Sequence, residues 1–251
     1  MTKSKPSWSL ILFWLVSGSI LIFRLGYDLK TWCFGGTVVV RVTPYYDYLL
    51  HLPRGYHDFS KRPLIVFLHG AGEVNKDVCV LRKLDIFHYA NGTVAASDFP
   101  FIVISPVTPR HGWDSQRVAR FLDEFLNDNR YRYNIDTSQI YLTGFSMGGF
   151  GTFHVACDYP DHFTAIVPLA GGGNPEKAEK LLTVPTWAFH GDADDVVAFE
   201  HTEKMITAMQ ELNHPDARLT TLHGAGHGIP DMVYTRPELY RWMLEQRKTT
   251  P

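Results

Sequence analysis

Six short apolar runs constrain this chain more than any other feature. They read Leu64-Ile65-Val66-Phe67-Leu68, Phe101-Ile102-Val103-Ile104, Ile140-Tyr141-Leu142-Thr143, Ala165-Ile166-Val167-Pro168-Leu169, Thr186-Trp187-Ala188-Phe189 and Arg218 to Leu222. A strand with one wet face alternates apolar and polar residues. Several of these runs are apolar at consecutive positions, so both faces must be covered, as in a parallel sheet. Helical patterns lie between them. Val118, Phe121, Leu122, Phe125 and Leu126 form one apolar stripe, Thr202, Met205, Ile206, Met209 and Leu212 a second, and Leu239, Trp242, Met243 and Leu244 a third. Strand and helix alternating in this way predict an α/β fold, a doubly wound and mostly parallel sheet with right-handed crossovers. Thr37 to Val42 and Tyr46 to Leu52, broken at Pro44, read as a hairpin that opens the sheet.

The amino terminus has a different character. Lys3 and Lys5 precede an uncharged stretch from Pro6 to Phe23, which Arg24 ends. As a helix it would rise roughly 27 Å, close to the ~30 Å hydrocarbon core of a bilayer. Its apolar residues cover every face, which disfavours a buried helix of the core. No small-x-small site follows closely, so it reads as an uncleaved signal anchor rather than a cleaved signal peptide. The expected organisation is therefore a membrane anchor and linker over 1–36 and one catalytic domain over 37–251. The two leading lysines would stay on the cytoplasmic side and place that domain on the other, periplasmic or extracellular, although Arg24 and Lys30 reduce the charge asymmetry.

Composition excludes some classes of function. Twenty-four basic against 26 acidic residues, a formal charge of −2, argue against nucleic acid as a partner, because phosphate contacts need clustered Lys and Arg. The three cysteines, Cys33, Cys79 and Cys157, have no CxxC spacing and do not form a disulfide framework. Cys157, in Val155-Ala156-Cys157, reads as a small core residue. Asp192, Asp194 and Asp195 begin like a calcium loop, but its fifth-position ligand and sixth-position glycine are missing. His223-x-x-x-His227 has metal-ligand spacing, yet Gly224 and Gly226 disfavour the helix such a pair needs. No metal or cofactor is expected.

The strongest motif is Gly144-Phe145-Ser146-Met147-Gly148-Gly149, between the run ending at Thr143 and a predicted helix. A nucleophile on a sharp strand-to-helix turn needs very small neighbours two positions to either side, and Gly144 and Gly148 supply them. The free N–H groups at the helix start, beginning with Met147, point at a developing oxyanion. Leu68-His69-Gly70-Ala71-Gly72-Glu73 ends an earlier strand and offers a second such N–H, that of Ala71, with His69 supporting the loop. A nucleophilic serine needs a base, and the base needs a carboxylate. Among 12 histidines, His227 is favoured, in the glycine-rich loop between the last strand and the last helix; His223, at the strand end, is the rival. The carboxylate is Asp192, Asp194 or Asp195, and spacing does not choose among them. Trp113 and Asp114, after Pro109-Arg110-His111-Gly112, read equally as a substrate wall or a surface loop.

These motifs carry a resemblance. From about Tyr46 to Gln246, roughly four-fifths of the chain, the sequence resembles the α/β-hydrolase superfamily, in its carboxylesterase/dienelactone-hydrolase-like branch of predicted peptidases. The matching residues are Phe67 to Glu73, the serine motif continued by Phe150-Gly151-Thr152, and Tyr159-Pro160-Asp161-His162-Phe163. With them go His190-Gly191-x-x-Asp194-x-x-Val197, Gly226-His227 and Pro237-Glu238-Leu239-Tyr240-x-Trp242. The resemblance implies the α/β-hydrolase fold and puts the acid at Asp194. Relatives usually carry a tryptophan soon after the catalytic histidine, where this chain has Gly228-Ile229-Pro230.

The expected activity is that of a serine carboxylesterase (EC 3.1.1) with Ser146 as nucleophile, His227 as base, Asp194 as acid and the N–H groups of Ala71 and Met147 as oxyanion hole. It would act on small ester substrates, because only the loop from Glu73 to Asp98 is long enough to cover the site. A serine peptidase acting on short peptides and a tethered, non-catalytic binding module on the same fold are the alternatives.

Overall fold

The computed structural model describes residues 36–40, 43–53, 60–90, 99–129 and 132–248. The expected anchor, Cys33 and the end of the Glu73–Asp98 loop lie outside them. Among the described residues no helix is long and apolar enough to cross a membrane.

Eight strands form one sheet: β1 (Gly36–Val40), β2 (Tyr48–Leu52), β3 (Arg62–Leu68), β4 (Ile102–Pro106), β5 (Ile135–Phe145), β6 (Ala165–Leu169), β7 (Thr186–Gly191) and β8 (Ala217–Leu222). Their order is β1-β2-β4-β3-β5-β6-β7-β8. The first two pair antiparallel, as the hairpin reading predicts, and β2 joins β4 antiparallel. From β4 through β3, β5, β6 and β7 to β8 every pairing is parallel. All six apolar runs fall in this parallel part, so their carboxyl ends share one edge of the sheet. That edge is where α/β sheets place their sites.

Helices cover both faces. They are α1 (Asp85–Ala90), α2 (Ser115–Asn129), α3 (Met147–Asp158), α4 (Glu200–Glu211), α5 (Pro230–Tyr234) and α6 (Pro237–Glu245). Alternate residues of β3 divide between two cores. Leu64, Val66 and Leu68 pack with Phe121 and Phe125 of α2, Phe153 of α3 and Met205 and Met209 of α4. Ile65 and Phe67 pack with Phe87 of α1, Tyr234 of α5 and Leu239, Trp242 and Met243 of α6. Each such side chain contributes about 1.5–3 kcal/mol on burial, which is why the runs are apolar without alternation.

Two expectations are adjusted here. β5 begins five residues before its apolar run, since the partly buried Asp136 and Ser138 and the buried Gln139 carry the strand outward through polar positions. The segment after Glu73 is fixed to the body over its described part. Val78, Leu81, Ile86 and Phe87 are buried in the second core, and Asp77 accepts the Cys79 N–H at 2.8 Å to start the short 3-10 turn that leads into α1.

Candidate active site

Ser146 stands between the last residue of β5 and the first of α3, with φ 57° and ψ −117°. Positive φ is costly for a residue with a side chain, so the surroundings must impose it. They do so by close approach. A Cβ at Gly148 would lie 1.9 Å from the Leu68 carbonyl oxygen, and one at Gly144 would lie 2.5 Å from the Gly148 carbonyl oxygen. The Ser146 N–H donates to the Leu169 carbonyl at 2.9 Å, which ties the turn to β6. The result is a half-buried serine raised at the carboxyl edge of the central strand.

His227 and Asp194 arrive from the loops after β8 and β7. His227 Nε2 lies 2.9 Å from Ser146 Oγ, and its Nδ1 lies 2.7 Å from Asp194 Oδ2. An ionised carboxylate only accepts, so Nδ1 carries the proton and Nε2 is left to accept from the serine hydroxyl. The Phe145 ring lies 4.8 Å from the imidazole, centroid to centroid. The Asp194 carboxylate has no solvent exposure, and its Oδ1 accepts the N–H groups of Val196 and Val197, both at 2.9 Å. Burial alone would push this carboxyl up. The bonds from His227, Val197 and Val196, with the nearby His227 ring, outweigh burial and hold it below the usual carboxylate range.

The choice between rivals is thereby visible in space. His223 turns to Asp192, with Nδ1 2.8 Å from Oδ2, and both remain exposed. Asp195 is exposed as well.

The loop after β3 is built around His69, which is fully buried. Its Nδ1–H donates to the Gly70 carbonyl at 2.6 Å, and Nε2 accepts the Thr108 N–H at 3.1 Å. Burial pushes this imidazole down to about 4, so it is a neutral brace. Ala71 follows as the first residue of a short 3-10 turn (Ala71–Glu73). Met147 opens α3, and its Sδ accepts the Gly112 N–H at 3.1 Å, docking the 109–113 loop beside the serine turn.

Trp113 is neither a substrate wall nor part of an open loop. It is buried, its Nε1–H donates to the His69 carbonyl at 3.2 Å, and it fills the space over Gly151, where a Cβ would meet its ring at 2.5 Å. Asp114 is exposed and accepts the Arg117 N–H at 2.7 Å, capping α2. Thr108 and Trp113 thus support the loop from 39 and 44 residues away, a contact no local sequence pattern signals. Where relatives carry a tryptophan after the histidine, Ile229 is fully buried in the second core and Pro230 starts α5. Cys157 is a core residue as expected, its thiol pushed up to about 11 by burial.

Comparison with known proteins agrees with this architecture. Residues 107–231 match the dienelactone hydrolase family model, a span that includes Ser146, Asp194 and His227. A bifunctional acetylxylan esterase/xylanase of Neocallimastix patriciarum is 27% identical over 57% of this chain and 21% of its own length. A probable feruloyl esterase C of Aspergillus terreus is 27% identical over 50% of this chain and 46% of its own. The chain therefore spans less than half the length of these curated relatives. Among solved structures, a thermostable esterase superposes with a TM-score of 0.72 at 26% identity, over 85% of this chain and 63% of that one.

Proposed function

We propose that this chain, a member of the α/β-hydrolase superfamily with esterases among its relatives, is a serine carboxylesterase. One observation carries the reading: the continuous path from Ser146 Oγ through His227 to the buried Asp194 carboxylate, with contacts of 2.9 and 2.7 Å, built on a turn whose backbone is strained at the serine.

In this reading the Ser146 hydroxyl gives its proton to His227 Nε2 as Oγ attacks the acyl carbon. Asp194 keeps the ring in the required tautomer and stabilises the imidazolium that forms. The N–H groups of Met147 and Ala71 hold the tetrahedral oxyanion. Collapse breaks the ester bond, and the departing alcohol takes the proton from His227. Water, deprotonated by the same nitrogen, then attacks the acyl-enzyme and releases the acid. The sequence of steps uses no cofactor. Leu81 and Phe87 anchor the described part of the neighbouring segment in the second core, and small acyl esters suit a site bordered in this way. The acetylxylan and feruloyl esterase relatives favour the same substrate class.

The test is Ser146→Ala. Hydrolysis of p-nitrophenyl acetate should fall by about 10⁴-fold or more in kcat, with loss of fluorophosphonate labelling and an unchanged melting temperature. More than a tenth of the wild-type rate would remove the assignment. The uncharged 6–23 stretch supports a second element of the proposal, a membrane anchor with the catalytic domain on the non-cytoplasmic side. The full chain should resist alkaline carbonate extraction, whereas a chain lacking residues 1–30 should be soluble and active.

A further inference from the structure

Asp194 has a second imidazole beside it. His190, the last residue but one of β7, has no solvent exposure, and its Nε2 lies 3.2 Å from Asp194 Oδ2, the oxygen that also faces His227. The same Nε2 lies 2.9 Å from the Val197 carbonyl. Both neighbours of Nε2 are acceptors, so this nitrogen carries a proton and donates it. Its chief partner, Val197, is also one of the two residues whose N–H groups grip Asp194 Oδ1. One peptide segment is thus held at Val197 from both sides: its N–H on the acid, its C=O on His190.

The far side of the ring is tied down as well. His190 Nδ1 lies 2.6 Å from Thr202 Oγ1 on α4, whose hydroxyl also faces the Gly171 carbonyl after β6. Gly171 in turn is pressed against the serine turn's helix, where a Cβ would come within 2.5 Å of Gly149 and Phe150 backbone atoms. The Phe199 ring packs on the imidazole at 5.7 Å. A chain of contacts therefore runs from the start of α3 through Gly171, Thr202 and His190 to Asp194, and from there through His227 back to Ser146.

We propose that His190 is a positioning residue for the acid. It fixes the 194–197 turn so that the Val196 and Val197 amides point at Oδ1, and it sets the positive edge of its ring beside Oδ2. This leaves Asp194 one orientation, that in which it receives the His227 Nδ1–H. Freed from His190, the carboxylate swings with its turn, and His227 loses its tautomer and aim. The inference rests on the Ser146–His227–Asp194 reading above.

Two substitutions separate this role from plain packing. His190→Gln keeps an N–H near the Nε2 position, facing Val197 and Asp194, and gives up the Thr202 contact. His190→Asn keeps a polar group near Nδ1, facing Thr202, and leaves the Asp194 side empty. With p-nitrophenyl acetate, His190→Asn should lose about 100-fold in kcat at unchanged KM, the scale expected when a catalytic group shifts by about an ångström. His190→Gln should recover most of that loss. Added to Asp194→Asn, His190→Asn should cost nothing further, because the two act on one step. Equal impairment of the two variants, a loss carried by KM, or additive losses in the double variant would overturn the proposal. Should neither variant fold, ¹⁵N-histidine NMR of the wild-type protein decides: a His190 ring without a proton on Nε2 overturns the proposal, and a proton there sustains it. Failure of the underlying reading is distinguishable, since Ser146→Ala and Asp194→Asn would then themselves retain activity.

Discussion

Two histidine–aspartate pairs span the same two loops, after β7 and after β8. His227 meets Asp194 at 2.7 Å and His223 meets Asp192 at 2.8 Å, both from Nδ1 to Oδ2. Bond length does not separate them, but surroundings do. The Asp194 side chain is 0% exposed and that of Asp192 37%; His227 is 19% exposed and His223 85%. Water competes for the outer pair and screens it, so its attraction is worth little. The inner pair works where water is excluded, and a charge-assisted bond there fixes geometry. Only the inner ring also has its second nitrogen on a serine. Two residues of separation along β7's loop therefore bring one such contact behind Ser146 and leave the other at the surface.

The sharpest break of this comparison is to remove each carboxylate's charge in turn. Asp194→Asn should lose about 10⁴-fold in kcat, because an amide facing Nδ1 favours the tautomer that puts the proton on Nε2. Asp192→Asn should stay within about twofold of wild type, as expected for an exposed ion pair. Initial rates with p-nitrophenyl acetate check both. A larger loss from Asp192→Asn would invert the roles assigned to the two pairs.

The same contrast explains what was legible in the sequence. The parallel strands were readable because runs such as Leu64 to Leu68 must satisfy two cores at once, and that demand suppresses alternation. The serine turn was readable because the close approaches at Gly144 and Gly148 admit no side chain, which leaves a fixed spacing around Ser146. Asp194 was not separable from Asp192 and Asp195 by spacing alone. What distinguishes it is that the Val196 and Val197 amides receive its Oδ1, a property of turn geometry and not of residue type. His190 and Trp113 carried no such local signal. Asp194 and Val197 lie 4 and 7 residues from His190, but Thr202 lies 12 away, and the partners of Trp113, Gly151 and His69, lie 38 and 44 away and meet it only after folding.

Acid titration should sharpen the comparison further. His223 and the Gly224 N–H hold the Asp192 carboxyl below the usual range; Asp194 is also held low, by His227, Val197 and Val196 against the opposing effect of its burial. A carboxyl depressed in the folded state contributes stability that is fully present above its unfolded value, near pH 4, and is lost as pH falls through the folded value. Urea unfolding should therefore show wild type more stable than Asp194→Asn at pH 7, with the gap closing as pH falls below about 4. For Asp192→Asn the gap should be small throughout and should shrink in salt, because water and ions already screen that pair. A gap at Asp194 that widens in acid would mean its folded carboxyl is raised rather than lowered.

The smallest effect is expected from His223→Ala. Asp192 has a second partner: its Oδ1 accepts the Gly224 N–H at 2.6 Å, where Gly224 takes φ +72°. The two loops are also joined by backbone, through Asp192 N–H to Leu222 O at 3.3 Å and Ala193 N–H to Ala225 O at 3.0 Å. Gly191 lies against this junction so closely that a Cβ would stand 2.2 Å from the Ala225 carbonyl oxygen. Deleting the exposed ring leaves all of these contacts in place, and the loop still delivers His227 to Ser146. Activity and melting temperature should therefore match wild type, in low salt and in 0.5 M NaCl alike, where the Debye length has shrunk to roughly 4 Å. Asp192→Ala removes the acceptor for Gly224 and should cost more than His223→Ala in kcat, with the loss independent of salt. If His223→Ala proves the more damaging of the two, the outer pair holds the catalytic loop through its ring, and the backbone junction between Gly191 and Ala225 is not what positions His227.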